Sequence, residues 1–348
     1  MPMKPHQFIA CCMLSISLGS AADPLERPAR ATALLKQRLI TGIAAAGPER
    51  LVAAGQRGHI AWSDDAGQHW TQANVPLSSD LTAVQFVDGR RGYAVGHDGV
   101  VVGSNDGGAT WQPLLDGRRA NLLLLEHLKA LPASATREAL LGEAERNLAA
   151  GPDKPFLDLH FTSADEGFVV GAYNLIFQTR DGGKTWTPWF ERTDNPRLLN
   201  LYAIRPQGGT LYIAGESGLL MRLDAKAQRF VALDTGYKGS FFGLLDTGDA
   251  LLAHGMRGNA RLSRDGGRQW HIVSTGLAAS ITTAARSADG TLWLADQSGA
   301  LARSRDGGAS FHRVPLKETL PVAAIAATSA RLVLGGPRGL RSIPLPSN

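Results

Sequence analysis

Seven times along the chain a short apolar run enters a four-residue turn and a second short run leaves it. The turns are Gly55-Gln56-Arg57-Gly58, Gly96-His97-Asp98-Gly99, Gly171-Ala172-Tyr173-Asn174, Gly215-Glu216-Ser217-Gly218, Gly255-Met256-Arg257-Gly258, Asp296-Gln297-Ser298-Gly299 and Gly336-Pro337-Arg338-Gly339. Short apolar runs bounded by glycine-rich turns predict strands. A repeat spacing of about 40 residues is the period of a four-stranded propeller blade. The pattern therefore predicts an all-β, seven-bladed β-propeller occupying residues 23–348 as one domain.

A second motif follows most of these hairpins: Ser/Thr-x-Asp-x-Gly-x-x-Trp/Phe. Its copies place Asp65 with Trp70, Asp106 with Trp111, Asp181 with Trp186, Asp265 with Trp270, and Asp306 with Phe311. A decayed copy spans Asp224 to Phe230. The aspartate can accept backbone N–H bonds and pin a turn. Gly67, Gly107, Gly182, Gly266 and Gly307 allow backbone angles that other residues resist, and the aromatic ring buries itself between strands. The motif thus reads as a structural staple. A calcium loop of the EF-hand kind would need a terminal Glu that is not present.

The interval from Trp111 to Trp186 is long, and residues 116–155 form an insertion. Its leucines, Leu122 to Leu125 and Leu128, then Leu140, Leu141, Ala144 and Leu148, have helical spacing. A helical hairpin on the propeller's flank is expected, with a docking arm over the mouth as the alternative. The seventh unit ends without an Asp box. Residues 30–35 are expected to supply its outer strand and close the ring.

The N-terminus changes the picture of location. Lys4, the apolar run Phe8 to Leu18 and the small residues Gly19 to Ala22 predict a signal peptide over residues 1–22. Both cysteines, Cys11 and Cys12, lie within it. A lipoprotein cleavage site at Cys11 is disfavoured because it comes early in the apolar core. An exported, periplasmic protein is expected, without a membrane span of its own and monomeric. Without Lys4 the formal net charge falls from +5 to +4. That is too little to imply nucleic acid, but it permits a local basic patch facing an acidic partner.

Catalytic classes find little support. No His-x-x-His, His-Glu-x-x-His or phosphate-loop spacing occurs, so no metal or cofactor is expected. Asp boxes occur in sialidases, which makes a glycan-binding or sialidase-like hydrolase the competing function. Asp98 and Glu216 are the acids nearest the predicted mouth. No Arg-Ile-Pro signature is present, and Tyr173 has no evident glutamate partner. A non-enzymatic binding protein is the preferred reading, with no catalytic residue assigned.

The five intact Asp boxes resemble the bacterial neuraminidase repeat. Residues Gly167 to Asn174, continuing through Asp181-Gly182-Gly183-Lys184-Thr185-Trp186, are similar to the photosystem II stability/assembly factor-like family, and the likeness extends over about residues 30–345. The resemblance implies a non-enzymatic factor that assists assembly or stability of a membrane-protein complex, of photosystem or envelope-exporter type, located in the thylakoid lumen if the host is photosynthetic. The helical insertion departs from the photosynthetic pattern and leaves the photosystem partner open.

Propeller geometry indicates where such a client would bind. With strands A to D counted outward, the B–C turns and D–A connections share one rim, and the Asp boxes lie on the other. Arg57, Arg257 and Arg338 sit on B–C turns. Arg192, Arg197 and Lys238 lie on D–A connections, and Tyr173 faces the mouth. A planar guanidinium fork holds carboxylates well. These seven residues are the candidate partner-binding set, facing an acidic segment.

Overall fold

The computed structural model describes residues 23–345 and contains seven antiparallel sheets, six of four strands and one of three. The residues assigned to the signal peptide lie outside the described range. Each sheet runs outward in chain order, as in Ile40–Ala45, Leu51–Gly55, Ile60–Ser63 and Thr71–Gln72 of blade 1. The innermost strands contact one another in a closed circle, with the strand of blade 7, Ala324–Ala327, touching that of blade 1. The chain is a seven-bladed β-propeller.

The second strand of a blade is buried on both faces, as in Leu51–Gly55, Gly92–Gly96 and Leu251–Gly255. That is why these segments read as unbroken apolar runs rather than alternating ones. Hydrophobic clusters fill all seven blade interfaces. The cluster between blades 1 and 2, for example, joins Val52, Ala54 and Ile60 to Ala94, Val102 and Trp111. Three interfaces also carry a hydroxyl clasp: Thr41 donates to Leu81 O at 2.5 Å, Thr82 to Phe156 O at 2.8 Å, and Thr282 to Val322 O at 2.6 Å.

The Asp boxes have one geometry. In blade 2, Asp106 Oδ1 accepts from Ser104 Oγ, Ala109 N and Thr110 N, and Oδ2 accepts from Thr110 Oγ1 at 2.6 Å. Two successive residues take positive φ, Gly107 at 75° and Gly108 at 89°; in blade 1 Ala66 at 55° precedes Gly67 at 82°. The second of these positions is glycine in every intact copy, Gly67, Gly108, Gly183, Gly267 and Gly308, whereas the first also admits Ala66; the recurring motif glycine in blade 2 is therefore Gly108 rather than Gly107. Trp111 turns its Nε1–H back to Gly108 O at 3.0 Å and is 4% exposed. Its ring packs with Val52 of the preceding blade. The Asp box therefore does more than staple its own blade: it plugs an interface. The decayed copy keeps part of this function, with Asp224 Oδ1 capping Lys226 N and Ala227 N and Phe230 fully buried.

Ring closure differs from expectation. Residues 30–35 form no outer strand, and blade 7 remains three-stranded over Ala324–Ala327, Arg331–Gly336 and Gly339–Pro344. The reason is where the backbone groups are bonded. Arg30 O accepts from His59 Nε2 and Gln72 Nε2, and Thr32 N donates to Gln72 Oε1, all on blade 1. Closure instead rests on Leu51, Ala326 and Val333, with Ile43, Trp70 and Leu340 packed around them. The 3-10 turn Leu35–Gln37 occupies the place of a D–A connection between blades 7 and 1. A Cβ on Gly339 would lie 1.8 Å from Lys36 O, much as one on Gly58 would lie 2.2 Å from Leu77 O.

The insertion forms two helices, α1 (Gly117–Ala130) and α2 (Ala135–Ala150). Asp116 caps α1 through Arg119 N, and Ser134 caps α2 through Arg137 N, satisfying N-terminal donors that have no partner within the helix. Leu128 and Ala144 are buried, whereas Leu148 stays 36% exposed. The hairpin packs on the rim of blade 3, where Leu124, Leu128 and Leu140 face Leu175, Phe177 and Phe190. His127 Nε2 bonds Glu191 Oε1 at 2.9 Å and fixes α1 to that blade.

Candidate functional site

The rim of B–C turns is held by the chain that crosses it. Both glycines of each Gly-x-x-Gly turn lie beneath the D–A backbone that crosses them. A Cβ on Gly255 would meet Ser240 O at 2.1 Å, and one on Gly258 would meet Leu277 O at 1.9 Å. Between the glycines the apex residue takes a left-handed conformation: Arg57 at φ 55°, Asp98 at 57°, Tyr173 at 53°, Ser217 at 53° and Arg257 at 55°. The crossing chain supports that strain. Asp80 Oδ1 accepts from Arg57 N at 2.6 Å, and Asn200 Oδ1 accepts from Tyr173 N at 2.9 Å. Apex side chains are thereby presented outward on a fixed backbone.

The seven candidate binding residues divide into two groups. Arg57, Arg257, Arg338, Arg197 and Lys238 are exposed, and no ion pair engages them among the described residues. Tyr173 is 62% exposed, with Lys154 Nζ 5.7 Å from its ring centroid. Arg192 is committed elsewhere: its guanidinium stacks 4.9 Å from the Trp189 ring centroid and pairs with Glu191 at 3.4 Å. The ring does not bring Arg338 and Arg57 into one cluster. Arg338 lines a small cavity with Leu316, Leu320 and Arg341, while Arg57 lines another with Arg27, Arg30 and Arg38. Residues 35–37, wedged between the two turns, separate them. The sequence reading places Arg30 in the closing strand and gives Arg27 and Arg38, which flank it, no binding role. The signal available was three arginines within a short segment just after the small-residue run.

The acids near the mouth have structural partners. Asp98 Oδ2 accepts from Ser79 Oγ at 2.6 Å, and Glu216 Oε2 accepts from Asn200 N at 3.3 Å.

A channel of about 390 Å³ follows the propeller axis, lined by the innermost strands. Its polar centre is Asp158, whose Oδ2 accepts from Arg205 Nη1 at 2.5 Å and Ile204 N at 2.8 Å. Burial pushes the Asp158 carboxyl up against the pull of Arg205. Burial and the same arginine hold the His160 imidazole down at about 4. His254 is also lowered to about 4 by burial, against a bond to Ile281 O, with Arg205 adding to the shift. Both imidazoles are therefore neutral near pH 7. Among the described residues no group of three or more His, Cys, Asp or Glu side chains could hold a metal ion, and no helix is long and apolar enough to cross a membrane.

Comparison with known proteins bears on this geometry. Residues 145–292 match the family model described as photosynthesis system II assembly factor YCF48. Over 139 residues the chain is 31% identical to the photosystem II assembly lipoprotein Ycf48 of Synechococcus sp. (strain CC9902), covering 39% of this chain and 41% of that one. Over 74 residues it is 34% identical to the chloroplastic photosystem II stability/assembly factor HCF136 of Cyanidioschyzon merolae, covering 20% of this chain and 17% of that one. The chain thus matches less than half the length of either relative. Among solved structures, YCF48 bound to D1 peptide superposes with a TM-score of 0.65 at 16% identity, over 90% of this chain and 95% of that one. YCF48 from Cyanidioschyzon merolae gives 0.64 at 16% identity, over 91% and 98%. The WD40 propeller domain of Doa1 gives 0.63 at 10% identity, over 93% and 97%, and all three likenesses speak to the fold alone. The matched segment, residues 145–292, is thus similar to the photosystem II assembly factor family, and the chain as a whole shares its fold with these solved structures.

Proposed function

We propose that this protein is an exported, non-enzymatic binding propeller that assists assembly or stability of a membrane-protein complex, holding an acidic, exposed segment of its client on the rim of B–C turns and D–A connections. The observation that carries the reading is the set of unpaired basic side chains on that rim. Arg57 and Arg257 project from left-handed turn apices held by the crossing chain, and Arg338, Arg197 and Lys238 add exposed charge on the same side. A rigid rim loses little freedom on binding, so a flexible client segment supplies most of the ordering cost. That one structural neighbour was solved with a bound D1 peptide supports a peptide segment as the ligand class.

The test is charge reversal at Arg57, Arg257 and Arg338 together. Tagged protein is recovered from its native host in mild detergent, and partners are identified by mass spectrometry. The reading expects subunits of one membrane complex with the parent protein and their loss with the triple variant, with parent binding weakening as salt rises. Binding and salt dependence unchanged in the variant would overturn the basic-rim assignment.

A further inference from the structure

The cavity under residues 27–38 is a second, distinct feature. This segment crosses the rim of blade 1 on a pinned backbone: Ala29 N donates to Val75 O at 3.0 Å, and Arg30 O receives His59 Nε2 at 3.0 Å and Gln72 Nε2 at 2.9 Å. Between segment and blade lies a cavity of about 300 Å³ lined by Arg27, Arg30, Arg38, Arg57 and His59.

Four arginines line this space, and no acidic residue does. Arg27 reaches only Ser78 Oγ, at 3.4 Å. The side chains of Arg30, Arg38 and Arg57 have no hydrogen-bond or ion-pair partner among the described residues. Nearby acids are occupied. Asp23 and Glu26 both pair with Arg118 on α1, and Asp80 takes the backbone N–H of Arg57. Two buried polar atoms lack partners, Arg38 Nε and His59 Nδ1. A buried, unpaired donor on a charged group is costly, and its presence in a folded protein calls for an explanation. Gathering four like charges without a counter-charge adds to that cost.

We infer that this cavity binds a small, multiply charged oxyanion of the phosphate class. One carboxylate would leave most of the positive charge uncompensated. A phosphate group brings about two negative charges and several acceptor oxygens to planar guanidinium forks. A bound oxyanion would also tie residues 27–38 to blade 1, where they stand in for the connection that closes the ring. The same chemistry is offered by free phosphate or pyrophosphate and by a phosphomonoester lipid headgroup. This inference is independent of the client-binding role except at Arg57.

The experiment titrates the protein, spanning residues 23–348, with inorganic phosphate and with pyrophosphate in a phosphate-free, low-salt buffer, followed by calorimetry and by thermal stability. Flotation with phosphatidylcholine vesicles, with and without phosphatidic acid, tests the headgroup source. Arg30→Gln and Arg38→Gln are compared with Arg257→Gln on the far side of the ring. Saturable binding of pyrophosphate, weakened at least tenfold by Arg30→Gln and by Arg38→Gln but less than twofold by Arg257→Gln, supports the site. Binding only to phosphatidic acid vesicles, with the same variant pattern, supports it and assigns the headgroup. Absence of binding in both arms, or equal weakening by Arg257→Gln, overturns it. Arg30 is exposed, so its variant keeps the test informative should Arg38→Gln impair folding. Client capture reads out separately, because neither Arg30 nor Arg38 is in the charge-reversal set.

Discussion

Replacing Trp111 with alanine tests the claim that an Asp box closes a blade interface. Trp111 is 4% exposed. It sits edge-on to Phe86 with centroids 6.1 Å apart and shares a cluster with Val52, Ala54 and Ile60 of the preceding blade. Its Nε1–H bonds Gly108 O at 3.0 Å. Truncating a buried tryptophan costs about 3–5 kcal/mol through lost transfer energy and the cavity left behind. Trp111→Phe keeps a ring but strands the Gly108 carbonyl, at a cost of about 1–3 kcal/mol. Trp70 is the internal control. It makes the same bond, Nε1 to Gly67 O at 2.9 Å, but is only half-buried, so Trp70→Ala should cost visibly less. The assay is urea unfolding followed by circular dichroism, with the slope compared across variants. The reasoning fails if Trp111→Ala costs under about 1 kcal/mol, or if the Trp70 and Trp111 alanine variants lose equal stability.

Three further outcomes are expected. Stability should fall in two acid windows. The first runs from about 6.5 down to about 4, because His160 and His254 stay neutral in the fold while the unfolded chain takes up protons. The second lies below about 3.8, because Ser304 and Ser310 bonds outweigh burial and hold Asp306 at about 2 when folded; urea midpoints measured across pH 7 to 2 check both windows. Gly258→Ala should be far more damaging than Gly208→Ala. Both glycines have positive φ, worth about 1–2 kcal/mol each, but only at Gly258 does the new Cβ meet a carbonyl, at 1.9 Å, as paired thermal melts would register. His127→Ala should release the helical hairpin by leaving Glu191, already with an unpartnered Oε2, without its imidazole; faster amide exchange in α1 and α2 with unchanged exchange in blades 5 and 6 is the expected signature.

Much of the architecture was legible in the chain itself. Blade number follows from the Gly-x-x-Gly turns, because a backbone crossing about 2 Å from where a Cβ would stand favours glycine; the exceptions are Asn174, at φ 63° and bonded to its surroundings, and Asp296, which caps Ser298 N and Ala300 N within its own turn. The Asp boxes were equally legible, since their bonds join residues within four positions of one another. So were the insertion and its helices, whose apolar spacing is a local property, although α2 begins at Ala135, one residue before Thr136, the expected cap, and is capped by Ser134. Ring closure was not legible. Whether Arg30 to Leu35 pairs with blade 7 or lies on blade 1 depends on Gln72 and His59, which are distant in sequence and adjacent only once the ring has formed. For the same reason the arginines at 27, 30, 38 and 57 share a cavity while Arg338, on the neighbouring blade, does not. Local hydrogen bonding and steric exclusion are written residue by residue in the chain. The meeting of its two ends, and the charges that meet there, is decided only when the seventh blade packs against the first.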